Sequence, residues 1–205
     1  MVKVKICGLR RAEDIAMVNE FHPDFVGFVF ADSKRKVDSK TAKLLRKELR
    51  RDIPAVGVFV NEDVEIIRSL CIQEIIQMVQ LHGDEDEEYM KELKNQLPEI
   101  PVIKAVRVRS KEQILETEKT ECDYLLLDTY VKDMYGGSGK TFDKGMIPDL
   151  KKPYFLAGGL DASNVIDNIR VCHPYAVDVS SAVEIDGWKD AGKIKEFLER
   201  IREHE

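Results

Sequence analysis

Eight short apolar segments recur along the 205-residue chain, and a longer amphipathic stretch follows each of them. The segments are Val2–Ile6, Phe25–Phe30, Ala55–Val60, Ile76–Leu81, Val102–Val106, Tyr124–Leu127, Tyr154–Ala157 and Ala176–Val179. Most of them are apolar with few polar interruptions, which is typical of a strand covered on both faces in a parallel sheet. Eight strands alternating with helices predict a closed (β/α)8 TIM barrel.

The amphipathic stretches show helical spacing. The clearest is the last, with apolar residues at Ile194, Phe197, Leu198 and Ile201. Another runs from Ser39 to Leu49, and Ser39 is its predicted N-cap. The acidic run 84–88 predicts a helix N-terminus, where carboxylates complement the helix dipole.

An open, doubly wound sheet is the structural competitor of the barrel. That fold usually carries a glycine-rich turn after its first strand. Here the first strand leads into Cys7 and Gly8 without a GxGxxG pattern. No linker or shift in composition divides the chain, so residues 1–205 are predicted to form a single barrel domain.

Composition narrows the function classes. The net charge of −6 disfavours a nucleic-acid partner, and the longest apolar runs are too short for a membrane span. The N-terminus has no signal-peptide pattern, and four scattered cysteines are expected to be free thiols in the cytoplasm. No metal-ligand spacing or cofactor motif is visible, so neither a metal nor a cofactor is expected.

Chemistry in a barrel belongs at the carboxyl ends of the strands. Five side chains that can act as acids, bases or charged ligands fall at or just after strand ends: Cys7, Arg35, His82, Asp128 and Asp178. Each also has an ordinary interpretation, because free cysteines are usually core residues and charged loop residues are usually solvated. Their concentration at one edge of the predicted barrel favours a functional site.

Two further strand ends resemble a phosphate cradle. Gly158 and Gly159 follow the seventh strand, and Ser180 and Ser181 follow the eighth. Barrels commonly bind phosphate through backbone N–H groups at these two loops. A tight turn at Gly158–Gly159 is the alternative.

The segment YGGSGKTFD at residues 135–143 resembles a P-loop only in part. A P-loop requires a glycine five positions before Gly139, and this chain has Met134 there. The segment therefore predicts a glycine-rich lid over the barrel mouth.

Taken together, the motifs resemble those of phosphoribosylanthranilate isomerase, a family of tryptophan biosynthesis. The matching segments are KICGL at 5–9, GFVF at 27–30, SKR at 33–35, VGVFVNE at 56–62, VQLHG at 79–83, LLDT at 126–129, GGSGKTFD at 136–143, AGGLDASNV at 157–165 and AVDVSSAVE at 176–184. They cover the whole chain in collinear order.

The resemblance implies an Amadori rearrangement of a small phosphorylated metabolite, N-(5-phosphoribosyl)anthranilate. It implies Cys7 as general base, Asp128 as general acid and Arg35 as the ligand of the anthranilate carboxylate. His82 and Asp178 would line the site, and the glycine and serine pairs would bind phosphate. Assembly into a homodimer is compatible with this interpretation.

The implied mechanism needs a protonated Asp128 and an ionised Cys7, which is the reverse of their ordinary acidities. The ordinary pKa values are about 3.9 for aspartate and about 8.5 for cysteine, so inverting them costs about 6 kcal/mol. We therefore expect desolvation and nearby substrate anions to raise the pKa of Asp128, and local N–H donors to lower that of Cys7.

Two other functions are compatible with a barrel of this kind. The related isomerase of histidine biosynthesis acts on a substrate with two phosphates, and the acidic strand exit Asn61–Glu62 disfavours the second cradle. A barrel that binds a phosphorylated metabolite or a protein partner without turnover would not need both Cys7 and Asp128.

Overall fold

The computed structural model describes residues 1–128 and 147–204. Eight parallel strands form its centre. They are β1 Lys3–Cys7, β2 Phe25–Val29, β3 Ala55–Phe59, β4 Met78–Leu81, β5 Val102–Arg107, β6 Tyr124–Asp128, β7 Tyr154–Ala157 and β8 Ala176–Val179.

The strands close into a barrel in sequence order, which confirms the predicted fold. β1 pairs with β2 and, at the seam, with β8. The register sets Cys7 beside Gly27 on β2 and Lys5 beside Asp178 on β8. Because all eight strands run in parallel, their carboxyl ends meet at one mouth.

The helices surround the barrel. They are α1 Ala12–Phe21, α2 Ser39–Glu48, α3 Val64–Ile72, α4 Glu87–Gln96, α5 Lys111–Glu118, α6 Val165–Cys172 and α7 Ala191–Arg202. A 3-10 turn at Ser181–Val183 and a small hairpin, β9 Glu184–Ile185 with β10 Trp188–Lys189, separate β8 from α7. In the part of the chain that the structure describes, no helix is long and apolar enough to cross a membrane.

Two local predictions needed correction. Ser39 is not the N-cap of α2 but its first residue; the cap is Asp38, whose carboxylate accepts from the Thr41 N–H. A carboxylate one position earlier reaches the free N–H groups of the first turn. The fourth strand begins at Met78 rather than Ile76, because Ile76 is buried in the outer core ahead of the paired residues. The acidic run does lead into a helix, since Asp86 caps α4.

Alternate residues of each strand face two different cores. One set packs between strands and helices; it includes Val4, Ile6, Val79 and Leu81. The other set fills the inside of the barrel; it includes Phe25, Met78, Leu126 and Phe155. This double burial explains why most strand positions are apolar, and the alternation turns Lys5, Cys7 and Gln80 toward the barrel interior.

Candidate active site

A cavity of about 530 Å³ opens at the carboxyl mouth of the barrel. All nine residues predicted for the site line it: Cys7, Arg35, His82, Asp128, Gly158, Gly159, Asp178, Ser180 and Ser181. Its volume falls in the range that takes a small organic ligand.

Cys7 is the last residue of β1, and its thiol is buried at the cavity wall. A side chain at the neighbouring Gly27 would place its Cβ 2.7 Å from the Cys7 sulfur, so the glycine makes room for the thiol. Burial raises the pKa of Cys7 above its ordinary value; the Asp178 carboxylate adds to this, and the ammonium groups of Lys5 and Lys189 oppose it. The expected lowering of the Cys7 pKa by N–H donors was therefore wrong, because burial outweighs the cations.

Asp128 and His82 stand together at the ends of β6 and β4. The His82 Nε2 atom lies 3.7 Å from Asp128 Oδ2, and about a quarter of each side chain is exposed (24% and 25%). Both groups therefore have access to a ligand in the cavity.

Arg35 is held from behind by a carboxylate. Its Nε and Nη2 atoms donate to the two carboxylate oxygens of Glu184, both at 2.7 Å. The Lys189 ammonium donates to the same carboxylate at 2.8 Å. Hydrogen bonds from Arg35 and Lys189 overcome the effect of burial and hold the pKa of Glu184 below its ordinary value. The guanidinium is thereby fixed at the rim with its other N–H groups directed away from Glu184.

The two predicted phosphate loops are adjacent, after β7 and β8. Gly158 and Gly159 both have positive φ, at 91° and 65°, which favours glycine at these positions. The Ser180 hydroxyl donates to the Cys7 carbonyl at 3.0 Å, and Lys189 donates to the Ser180 carbonyl at 2.9 Å. The first bond ties the second loop to the end of β1, and the second bond ties it to β10.

Asp178 uses only one of its carboxylate oxygens. Oδ2 accepts from Lys5 at 3.0 Å, whereas the buried Oδ1 has no hydrogen-bond partner among the described residues. A buried carboxylate oxygen at a cavity wall is an acceptor suited to a donor on a ligand.

Four residues of this network were missed by sequence reasoning: Lys5, Gln80, Glu184 and Lys189. Lys5 and Gln80 left a signal, because each is a polar residue inside an apolar strand that was predicted to be covered on both faces. Glu184 and Lys189 left none, since each follows the strand region and becomes buried only through the hairpin. The predicted lid, residues 135–143, lies outside the described residues.

A closed parallel barrel whose carboxyl mouth collects a thiol, carboxylates, a guanidinium and glycine turns belongs to the class of (β/α)8 barrels that act on small charged ligands. Residues 4–200 match the family model described as N-(5'phosphoribosyl)anthranilate (PRA) isomerase. The chain belongs to this family, as its motifs predicted.

Individual relatives agree over the full length. An N-(5'-phosphoribosyl)anthranilate isomerase of Lachnoclostridium phytofermentans is 50% identical, and the match covers 96% of each chain. The crystal structure of phosphoribosyl anthranilate isomerase from Thermotoga maritima has a TM-score of 0.85 at 38% identity, covering 99% of this chain and 100% of that one. A further structure of the isomerase, in complex with reduced 1-(o-carboxyphenylamino)-1-deoxyribulose 5-phosphate, has a TM-score of 0.81 at 35% identity and covers 99% of this chain and 100% of that one.

Proposed function

We propose that the protein catalyses the Amadori rearrangement of N-(5-phosphoribosyl)anthranilate to 1-(2-carboxyphenylamino)-1-deoxyribulose 5-phosphate in tryptophan biosynthesis. Membership of the isomerase family supports the reaction. The observation that carries the assignment of residues is that one cavity is lined by Cys7 from β1, Asp128 from β6 and the glycine and serine loops after β7 and β8.

The first step opens the sugar ring. The Asp128 carboxyl gives its proton to the ring oxygen while the bond from that oxygen to C1 breaks. The anilino nitrogen supplies the electron pair that forms a C1–N double bond, so the product is a protonated Schiff base and Asp128 is left as the carboxylate.

The second step moves the double bond. The Cys7 thiolate removes the proton from C2, and its electron pair forms a C1–C2 double bond while the charge on nitrogen is neutralised. The resulting enolamine tautomerises: the C2 hydroxyl loses its proton, C1 gains one, and a ketone remains. No atom is gained or lost overall, so the reaction needs only an acid and a base.

The remaining residues hold the substrate. Arg35 would bind the anthranilate carboxylate with the donors that Glu184 leaves free, and its planar fork suits a carboxylate better than a lysine would. Gly158, Gly159, Ser180 and Ser181 would bind the phosphate. His82 would line the site beside Asp128, and the unpaired Oδ1 of Asp178 would accept from a substrate hydroxyl or N–H.

The substrate is fluorescent, so its consumption can be followed directly. We expect Cys7→Ala and Asp128→Asn each to lower kcat by about 10² to 10⁴, because each removes a proton-transfer group. Cys172→Ala and Asp167→Asn, on the outer helix α6, are the matched controls and should keep full activity. No turnover by the folded wild-type protein would contradict the function, and an active Cys7→Ala variant would contradict the role of Cys7.

A cytoplasmic location is part of the same proposal. Four free cysteines suit the reducing cytoplasm. A homodimer is a further prediction about its assembly.

A further inference from the structure

A chain of buried polar side chains runs beneath the cavity from β1 to β4. Lys5 has no exposed surface, and its ammonium donates to Gln80 Oε1 at 2.9 Å and to Asp178 Oδ2 at 3.0 Å. An ammonium group has three donors and no acceptor. The oxygen of the Gln80 amide must therefore face Lys5, and its NH₂ group must face away.

The orientation of this amide decides the state of a ring nitrogen. The Gln80 Nε2 atom lies 3.1 Å from Nδ1 of His82. Because the amide nitrogen is a donor, Nδ1 has to be the acceptor and carries no proton. The ring proton is then on Nε2, the atom that faces Asp128 Oδ2 at 3.7 Å.

We propose that Lys5 and Gln80 are positioning residues that fix His82 as the Nε2–H tautomer, so that a hydrogen-bond donor always faces Asp128. The consequence rests on the proposed function. Once Asp128 has given its proton to the substrate, the Nε2–H group stabilises the carboxylate that remains, and the 3.7 Å gap closes to a hydrogen bond at that step.

The alternative arrangement is costly. Turning the Gln80 amide would set its NH₂ group against the Lys5 ammonium, and Gln80 is only 1% exposed, so water cannot relieve the contact. Lys5 in turn cannot move away without leaving Asp178 on β8 unpaired at Oδ2.

The charges around Lys5 keep it protonated. The titratable groups that face it are Asp178 from β8 and Cys7 from its own strand, with Lys189 of the hairpin acting on Cys7 from above. Burial works against the charge of Lys5, but Asp178 and Cys7 outweigh it and hold the pKa of Lys5 above its ordinary value. The Lys5 ammonium therefore remains the donor that faces the oxygen of Gln80.

Nitrogen NMR of the protein labelled in its four histidines tests the proposal without reference to turnover. The two ring nitrogens of a neutral histidine have different chemical shifts when one is protonated, and the signals of His82 are those that vanish in His82→Gln. At about pH 8, where an ordinary histidine is neutral, we expect an Nε2–H ring with unprotonated Nδ1.

Gln80→Glu reverses the expected result. A carboxylate accepts from both neighbours, so the His82 Nδ1 atom should become protonated in that variant. The matched control is Gln77→Glu: Gln77 accepts from Ala55 at the opposite end of the strand and should leave the His82 signals unchanged. Lys5→Met frees the amide, and we expect the tautomer signature to be lost or mixed.

Kinetics supply a second measurement. Gln80→Met removes the restraint on the ring, and we expect kcat to fall by about tenfold with KM little changed. A wild-type His82 with a proton on Nδ1 would overturn the proposal even if Gln80→Glu failed to fold, and so would an unchanged spectrum in folded Gln80→Glu. If the wild-type protein shows the Nε2–H ring but no turnover, the proposed function fails, whereas the positioning of His82 by Lys5 and Gln80 stands.

Discussion

Cys7 is subject to opposing influences from its immediate surroundings. Its burial at the end of β1 and the Asp178 carboxylate both favour the thiol, while Lys5 and Lys189 favour the thiolate. Burial and Asp178 outweigh the two cations, so the resting residue is a thiol. A bound substrate must then bring about the change in protonation that the base needs.

This balance predicts the reactivity of the thiol. The rate of Cys7 alkylation by iodoacetamide should rise about tenfold per pH unit and keep rising beyond the pH at which free cysteine levels off, because only the thiolate reacts and burial raises the pKa of Cys7. Mass spectrometry of the Cys7 peptide measures it.

A comparison within the chain provides the control. Burial raises the pKa of Cys71 on α3 to about 12, so its alkylation should also keep rising with pH, and Lys5→Met should leave its rate unchanged. Lys5→Met should slow the labelling of Cys7 further by removing one of the two opposing cations. A rate for Cys7 that levels off near neutral pH would contradict the account.

At the scale of the elements, the loop between β4 and α4 depends on one buried ion pair. Glu85 accepts from the backbone N–H groups of Asn61 and Gly83, and Lys104 on β5 donates to it at 2.6 Å. The side chains of Lys104 and Glu85 are 10% and 0% exposed. This pair secures the loop directly after His82.

Removing one partner should leave a buried charge uncompensated. We expect Lys104→Met to lower the free energy of unfolding by about 3–5 kcal/mol, measured by urea denaturation. The double variant Lys104→Met with Glu85→Gln should recover part of the loss, because the buried charge is gone. Lys119→Met, in an exposed pair with Glu116, is the control and should change stability by less than about 1 kcal/mol. Equal losses in the two lysine variants would rule out a special role for the buried pair.

The first and last elements of the chain contact each other both in the barrel and in the surrounding layer of helices. β8 pairs with β1 inside, and outside them α7 reaches α1. Arg202 near the end of α7 donates to the carbonyls of Phe21 and His22, where α1 ends. The last turn of α1 has no basic residue of its own, so the distant arginine supplies the cation that a helix C-terminus favours.

The outer closure can be tested by thermal unfolding. Arg202→Ala removes two hydrogen bonds to the end of α1 and should cost about 1 kcal/mol, which lowers Tm by about 2–4 °C in a chain of this size. Arg200→Ala, on the same helix at an exposed position, should leave Tm unchanged. Equal shifts in the two variants would show that the bonds to α1 contribute nothing.

The sequence by itself determined the barrel, because eight largely apolar segments leave few ways to bury two faces of each strand. It also determined the residues at the strand ends, since parallel strands expose their carboxyl ends together. Tertiary structure decided which alternate residues turn inward, and thus that Lys5 and Gln80 meet beneath the cavity although 75 positions separate them in the chain.

Tertiary structure also decided the electrostatics. The direction of the Cys7 pKa shift, the pairing of Arg35 with Glu184 and the tautomer required of His82 each depend on groups brought together only when the barrel closes. Local sequence specifies strand and helix through short-range periodicity, whereas burial and charge pairing are set by neighbours from distant strands.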